Sequence, residues 1–141
     1  MKAILILLSI LFFSQISAQE SQEFIFKFNV KKWNRIYNKQ QKISKNKTTI
    51  ITLSDVYGKE VLFEIKENSI SEKPIENIKT FKGKSSDDKK TIALIILPKS
   101  LSGSYLENGQ QYFIEPVKNS CSKYKVYIHP KIDKDLKLGQ I

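Results

Sequence analysis

The side chains able to do chemistry in this sequence are few and far apart. His129 is the sole histidine and Cys121 the sole cysteine. A hydrolytic zinc site needs His-Glu-x-x-His on one helix turn, because neutral imidazoles hold the metal while the glutamate activates water. One histidine cannot supply it, and one cysteine cannot build a cysteine-rich structural zinc site or an internal disulfide. His129 could in arithmetic join a serine and an aspartate, but no Gly-x-Ser-x-Gly elbow accompanies it, and a lone histidine on a terminal strand reads as a surface residue. Asp87-Asp88 falls in a lysine-rich turn with no further acidic ligands spaced around it, which reads as solvated charge rather than a cation loop. No glycine-rich phosphate loop occurs. The residue types therefore predict a non-enzymatic chain with no catalytic residue, metal or cofactor. Cys121 remains, with Lys118 and Lys123 nearby to favour its thiolate form; a free or buried structural thiol is the alternative.

The elements that must carry these residues begin after an export signal. Lys2 supplies a positive start, Ala3 to Phe13 is almost wholly apolar, and Ile16-Ser17-Ala18 offers a small-residue cleavage site. The apolar run is much shorter than the ~20 residues needed to cross a bilayer. Residues 1–18 are read as a signal peptide, 19–130 as one β domain and 131–141 as a charged tail, with the product secreted. The best later apolar run, Ile92 to Leu97, has strand length and belongs to a core.

Alternation then marks the strands. Phe24, Phe26, Phe28 and Val30 share one side of a half-buried strand. The lysine-rich stretch Asn34 to Lys47 is expected as a loop or a short helical turn, followed by the sequon Asn46-Lys47-Thr48. Thr48 to Leu53 and Val61 to Ile65 should pair across Ser54 to Gly58 as a hairpin. Ile75 to Phe81 followed by Gly83 suggests a strand entering a turn at Ser85 to Lys90, and Thr91 to Leu97 the next strand, stopped by Pro98. Asn108-Gly109 suits the positive φ angles of a tight hairpin turn between Ser104 to Glu107 and Gln110 to Glu115. Tyr124, Val126 and Ile128 alternate in a last strand. About eight short strands with turns between them, and at most one short helix, predict a mainly β antiparallel sandwich or barrel.

Charge narrows the partners. The net charge is +10, and Lys2 is the only charged residue of the first 18. Arg35 is the only arginine, whereas nucleic-acid readers favour the bidentate, stacking guanidinium, and the lysines are scattered along the chain. No nucleic-acid partner is expected, and no membrane after signal cleavage.

Three stretches have a further pattern. Val61 to Asn68 is a strand leading into the charged Lys66-Glu67-Asn68. Phe81-Lys82-Gly83 is an aromatic-x-Gly. Leu101-Ser102-Gly103 is a Leu-x-Gly turn followed by a hairpin ending in Tyr112-Phe113-Ile114-Glu115-Pro116. From about Thr49 to Pro130 the chain thereby resembles the propeptide of reprolysin or adamalysin zinc metalloproteases, the group that includes ADAM proteins and snake-venom metalloproteases. The resemblance implies a propeptide-like β domain that binds a zinc metalloprotease catalytic domain or keeps it latent, in cis in a longer precursor or in trans. It makes Phe81, Gly83, Leu101, Gly103, Tyr112, Ile114, Glu115 and Pro116 structural motif residues and Cys121 the possible inhibitory thiol. The chain departs from the family in having Lys79 and Pro98 where many animal members place cysteines. It also lacks the Pro-Lys-Met-Cys-Gly-Val context of the inhibitory cysteine and the catalytic domain itself. From composition and fold alone, the alternative is a secreted non-catalytic β-sandwich module for binding or adhesion.

Overall fold

The computed structural model describes residues 22–45, 47–69, 72–73 and 75–129. Residues 1–18, expected as a signal peptide, Asn46 of the sequon and residues 131–141, expected as a charged tail, lie outside the described residues. The chain forms β1 (Glu23–Lys27), α1 (Val30–Ile43), β2 (Thr49–Ser54), β3 (Glu60–Glu67), β4 (Lys79–Ser85), β5 (Lys90–Ile96), β6 (Leu101–Glu107), β7 (Gln110–Pro116) and β8 (Lys123–Ile128). The eight strands make one antiparallel sheet in the order β1-β8-β7-β6-β5-β4-β3-β2, curled into a half-barrel. This is the mainly β, barrel-like architecture expected from the alternating sequence.

Period-two patterning sets the inner face of the half-barrel. β5 alternates buried and exposed at every position, with Lys90, Ile92, Leu94 and Ile96 pointing inward. Ile51, Leu53, Phe63, Ile65, Phe81, Tyr105, Ile114, Tyr124 and Val126 fill the same interior. Each large apolar side chain so buried stabilises the fold by roughly 1.5–3 kcal/mol, which fits a domain whose one cysteine forms no internal disulfide. The edge strands β1 and β2 come near each other at the seam, where a Cβ added to Gly58 of the β2–β3 turn would lie 2.7 Å from the Phe24 ring.

Several local expectations are corrected. The strand expected over Ile75 to Phe81 starts at Lys79 and runs through Gly83 to Ser85, because Gly83 pairs with Ile65 on one side and Ile92 on the other. Leu101-Ser102-Gly103 is not a turn but the start of β6, with Gly103 opposite Leu94 and Ile114. Both glycines sit on the inward row, where the backbones crowd. A Cβ on Gly83 would lie 2.0 Å from the Glu64 carbonyl oxygen, and one on Gly103 would lie 2.2 Å from that of Ala93. Strand glycines of this kind let a sheet bend sharply.

At the N-terminus the strand ends at Lys27, so Val30 opens a helix instead of closing a strand, and Phe24 is more than one-third exposed. Most of the stretch Asn34 to Lys47, expected as a loop or a short helical turn, belongs to a 14-residue helix that starts at Val30 and ends at Ile43. Asn29 caps it, its side chain accepting from the Lys32 amide at 2.9 Å, and Val30, Trp33 and Tyr37 recur at helical spacing on the face turned to the sheet. Lysine-rich composition hid that spacing. The turns behave as their residues dictate: Asn108 and Gly109 adopt φ 50° and 75°, and the Asp55 carboxylate accepts from the Tyr57 and Lys59 amides at 2.9 Å each.

Candidate interaction surface

Strict antiparallel order collects the N-terminal ends of β2, β4, β6 and β8 and the C-terminal ends of β1, β3, β5 and β7 at one end of the half-barrel. α1 lies over that end, and side-chain bonds fix it. The Trp33 indole donates to the Ile50 carbonyl at 3.4 Å, the Asn34 amide to the Leu97 carbonyl at 3.0 Å, and the Tyr37 hydroxyl to Glu67 Oε2 at 2.5 Å. Trp33 stacks on Tyr37 with centroids 5.1 Å apart, and both rings meet Phe81 edge-on. Lys79 sits over the Tyr37 ring and donates to Asn38 Oδ1 at 2.6 Å. Burial, and then the Glu67 carboxylate beside it, push the Tyr37 hydroxyl far above the ordinary tyrosine range.

With its apolar face committed to the sheet, the helix turns Lys31, Lys32, Arg35, Lys39 and Lys42 to solvent, and it holds no acidic residue. The same end carries Lys27, Lys99, Lys118 and Lys123 from strand ends and turns. Of the acidic residues there, Glu67 is engaged by Tyr37 and Glu115, near the end of β7, by Tyr127, while Glu72 and Glu76 lie in the β3–β4 connection. The opposite end is different. Asp55, Glu60, Asp87, Asp88 and Glu107 gather at the β2–β3, β4–β5 and β6–β7 turns, against Lys59, Lys89 and Lys90. Lys90 is buried and paired with Glu107 at 3.1 Å. The lysines that looked scattered along the chain are therefore sorted by the fold, and the molecule is electrically polarised along the half-barrel axis.

Two grooves flank the helix. One, of about 460 Å³, runs between α1 and the edge strand β2 and is lined by Trp33, Ile36, Tyr37, Ile43 and Ile50, with Gln40 and Lys47 among the polar residues. Ile36, Ile43 and Ile50 are 46, 88 and 56 % exposed. The other, of about 420 Å³, is lined by Lys31, Asn34, Arg35, Asn38, Lys79 and Leu97 among others.

The residues singled out in the sequence fall elsewhere. Phe81, Leu101, Tyr112 and Ile114 are core side chains, Gly83 and Gly103 are the inward bends, and Pro116 ends β7 opposite Tyr124. Glu115 faces outward and accepts from the Tyr127 hydroxyl at 2.8 Å, with Lys125 at 4.0 Å. Six of these eight residues are thus packing or close-approach positions, and Glu115 and Pro116 lie at the outer end of β7. Cys121 is exposed in the β7–β8 connection at the helix-capped end, between Lys118 and Lys123 in the chain. His129 is exposed, edge-on to Phe113 and Tyr127 at the far end of β8. Asp87 accepts from the Ser85 hydroxyl at 2.6 Å and from the Lys89 amide at 3.1 Å; these bonds, the hydroxyl first, hold its carboxyl below the usual range. Among the described residues no group of three or more His, Cys, Asp or Glu side chains could hold a metal ion, and no helix is long and apolar enough to cross a membrane.

Sequence reasoning missed the helix face, because the basic residues were weighed as composition. The readable signal was Asn29 at a cap position followed by Val30, Trp33 and Tyr37. Comparison with family models, curated proteins and solved structures gives no match to this chain.

Proposed function

We propose that this chain is a secreted, non-catalytic binding module that presents its helix-capped end to an anionic partner. The observation that carries this is the charge separation: five basic side chains face solvent on a helix without an acidic residue, while carboxylates gather at the opposite turns. The core is filled by side chains, so recognition falls to the outer surface. The test is retention on an immobilised soluble polyanion, heparin, eluted with salt. Reversing Lys32, Arg35 and Lys39 to glutamate should abolish retention at 0.15 M salt, where charges about 8 Å apart still feel each other. Reversing Lys59 and Lys89 at the other end should leave it nearly unchanged. Equal losses from both sets would mean that net charge alone governs binding and would sink the reading.

A second reading, the restraint of a reprolysin-type zinc metalloprotease, is favoured by one observation. Cys121 stands exposed in a connection at the same basic end, where its sulfur can reach a metal on another protein. Under this reading, inhibition of such a catalytic domain is lost in Cys121→Ser, and an equally inhibitory serine variant removes the thiol from the mechanism.

A further inference from the structure

The helix-capped end combines charge with exposed aliphatic surface, and that combination narrows its partner. On a regular helix, Lys32, Ile36, Lys39 and Ile43 fall on one stripe by their i, i+4, i+7 and i+11 spacing, with Arg35 and Lys42 beside it. Ile36 and Ile43 line the same groove as Ile50 of β2, and Ile43 is the most exposed large apolar side chain among the described residues. Single exposed isoleucines are ordinary surface features. Three lining one groove at the edge of a lysine field are an amphipathic surface of the kind that sits at a lipid interface, with aliphatic groups at the acyl boundary and ammonium groups at the phosphates.

From this we infer that α1 and the edge of β2 form a peripheral docking surface for an anionic lipid bilayer. Charge complementarity selects the occupant: Lys32, Lys39 and Lys42 meet phosphate oxygens, the Lys31 and Arg35 groove lies on the other flank, and Ile36, Ile43 and Ile50 enter the interface. A soluble polyanion would use the lysines but gain nothing from the isoleucines. No membrane partner was expected from the sequence because none of its apolar runs has spanning length. A peripheral contact needs none, since the fold supplies the apolar patch from residues on two separate elements. The inference rests on the reading that this end is the contact surface.

Trp33 makes the test direct, as it is the sole tryptophan and lines the groove. The purified chain is titrated with vesicles of phosphatidylcholine containing 30 mol% phosphatidylglycerol, with pure phosphatidylcholine vesicles and with heparin, following Trp33 emission and co-sedimentation. Binding to the anionic vesicles with a blue shift of Trp33 is expected. Ile36→Ser with Ile43→Ser should weaken vesicle affinity about ten-fold or more and leave heparin retention unchanged. Lys39→Gln with Lys42→Gln should weaken vesicle binding about thirty-fold. Both pairs alter exposed positions, and circular dichroism checks that the fold is retained. Heparin binding without vesicle binding, or vesicle binding that is indifferent to the isoleucines and leaves Trp33 unshifted, overturns the lipid inference while the anionic-partner reading stands. Equal binding to pure phosphatidylcholine overturns the requirement for anionic lipid. Absence of binding to both vesicles and heparin overturns both readings.

Discussion

Replacing Gly83 or Gly103 by alanine tests the account of how the sheet curls. At each position the new Cβ meets a backbone carbonyl of the neighbouring strand, at 2.0 Å for Gly83 and 2.2 Å for Gly103, where anything under 3.0 Å forces a shift. A carbonyl held in a sheet cannot rotate aside as a side chain can. At Gly103, Leu94 Cδ2 also stands 2.8 Å from the added carbon. Overpacking of this kind costs about 1–3 kcal/mol, and the backbone contacts place both substitutions near the upper end. For a domain of this size that corresponds to a fall in Tm of roughly 10 °C. Gly109 is the internal control: its φ is +75° but nothing lies within 4 Å of an added Cβ. Gly109→Ala therefore suffers only the left-handed backbone penalty of about 1–2 kcal/mol, or roughly 5 °C. Thermal and urea melts followed by circular dichroism give the order directly. Should Gly109→Ala prove as damaging as the other two, close backbone approach is not what these glycines permit, and the explanation of the curl fails.

Two further outcomes follow from the same geometry. Tyr105, Tyr112 and Tyr124 are raised above the ordinary value of 10.0, chiefly by burial, and Tyr37 and Tyr127 by burial and then by their carboxylate partners. The native state keeps these protons where the unfolded chain loses them, so their contribution to stability is intact below pH 10 and declines as pH rises toward the folded values. Absorbance at 295 nm should then show most tyrosines ionising together with unfolding; ionisation of all six near pH 10 in a folded chain would contradict their burial. Asn29→Ala removes the helix cap and should cost about 1 kcal/mol, with faster amide exchange in the first turn of α1. Unchanged exchange at Lys32, whose amide donates to Asn29, would show that the cap does not hold the helix start.

The period-two placement of Ile92, Leu94 and Ile96, the Asn108-Gly109 turn and the Thr48 to Ile65 hairpin were legible because they depend on neighbours in the chain: alternation sets which face is buried, and Asn-Gly supports positive φ. The same local reasoning misplaced Gly83 and Gly103, whose role lies in contacts with Glu64 and Ala93 on adjacent strands. A glycine in isolation reads as a turn, and only strand pairing shows that it is a bend. Phe81, Leu101 and Tyr112, structural residues under the resemblance, point inward and belong to the core.

The amino-acid sequence by itself determined the β class, the turn chemistry and the excess of positive charge, all of which follow from residue type and short-range spacing. The tertiary structure alone decided where that charge resides. Lys99, Lys118 and the basic residues of α1 are far apart in the chain and share one end only because each strand reverses the direction of the last. It also set Ile36 and Ile43 around one groove with Ile50 by laying the helix beside the edge of β2, and so joined positive charge to apolar surface in one place.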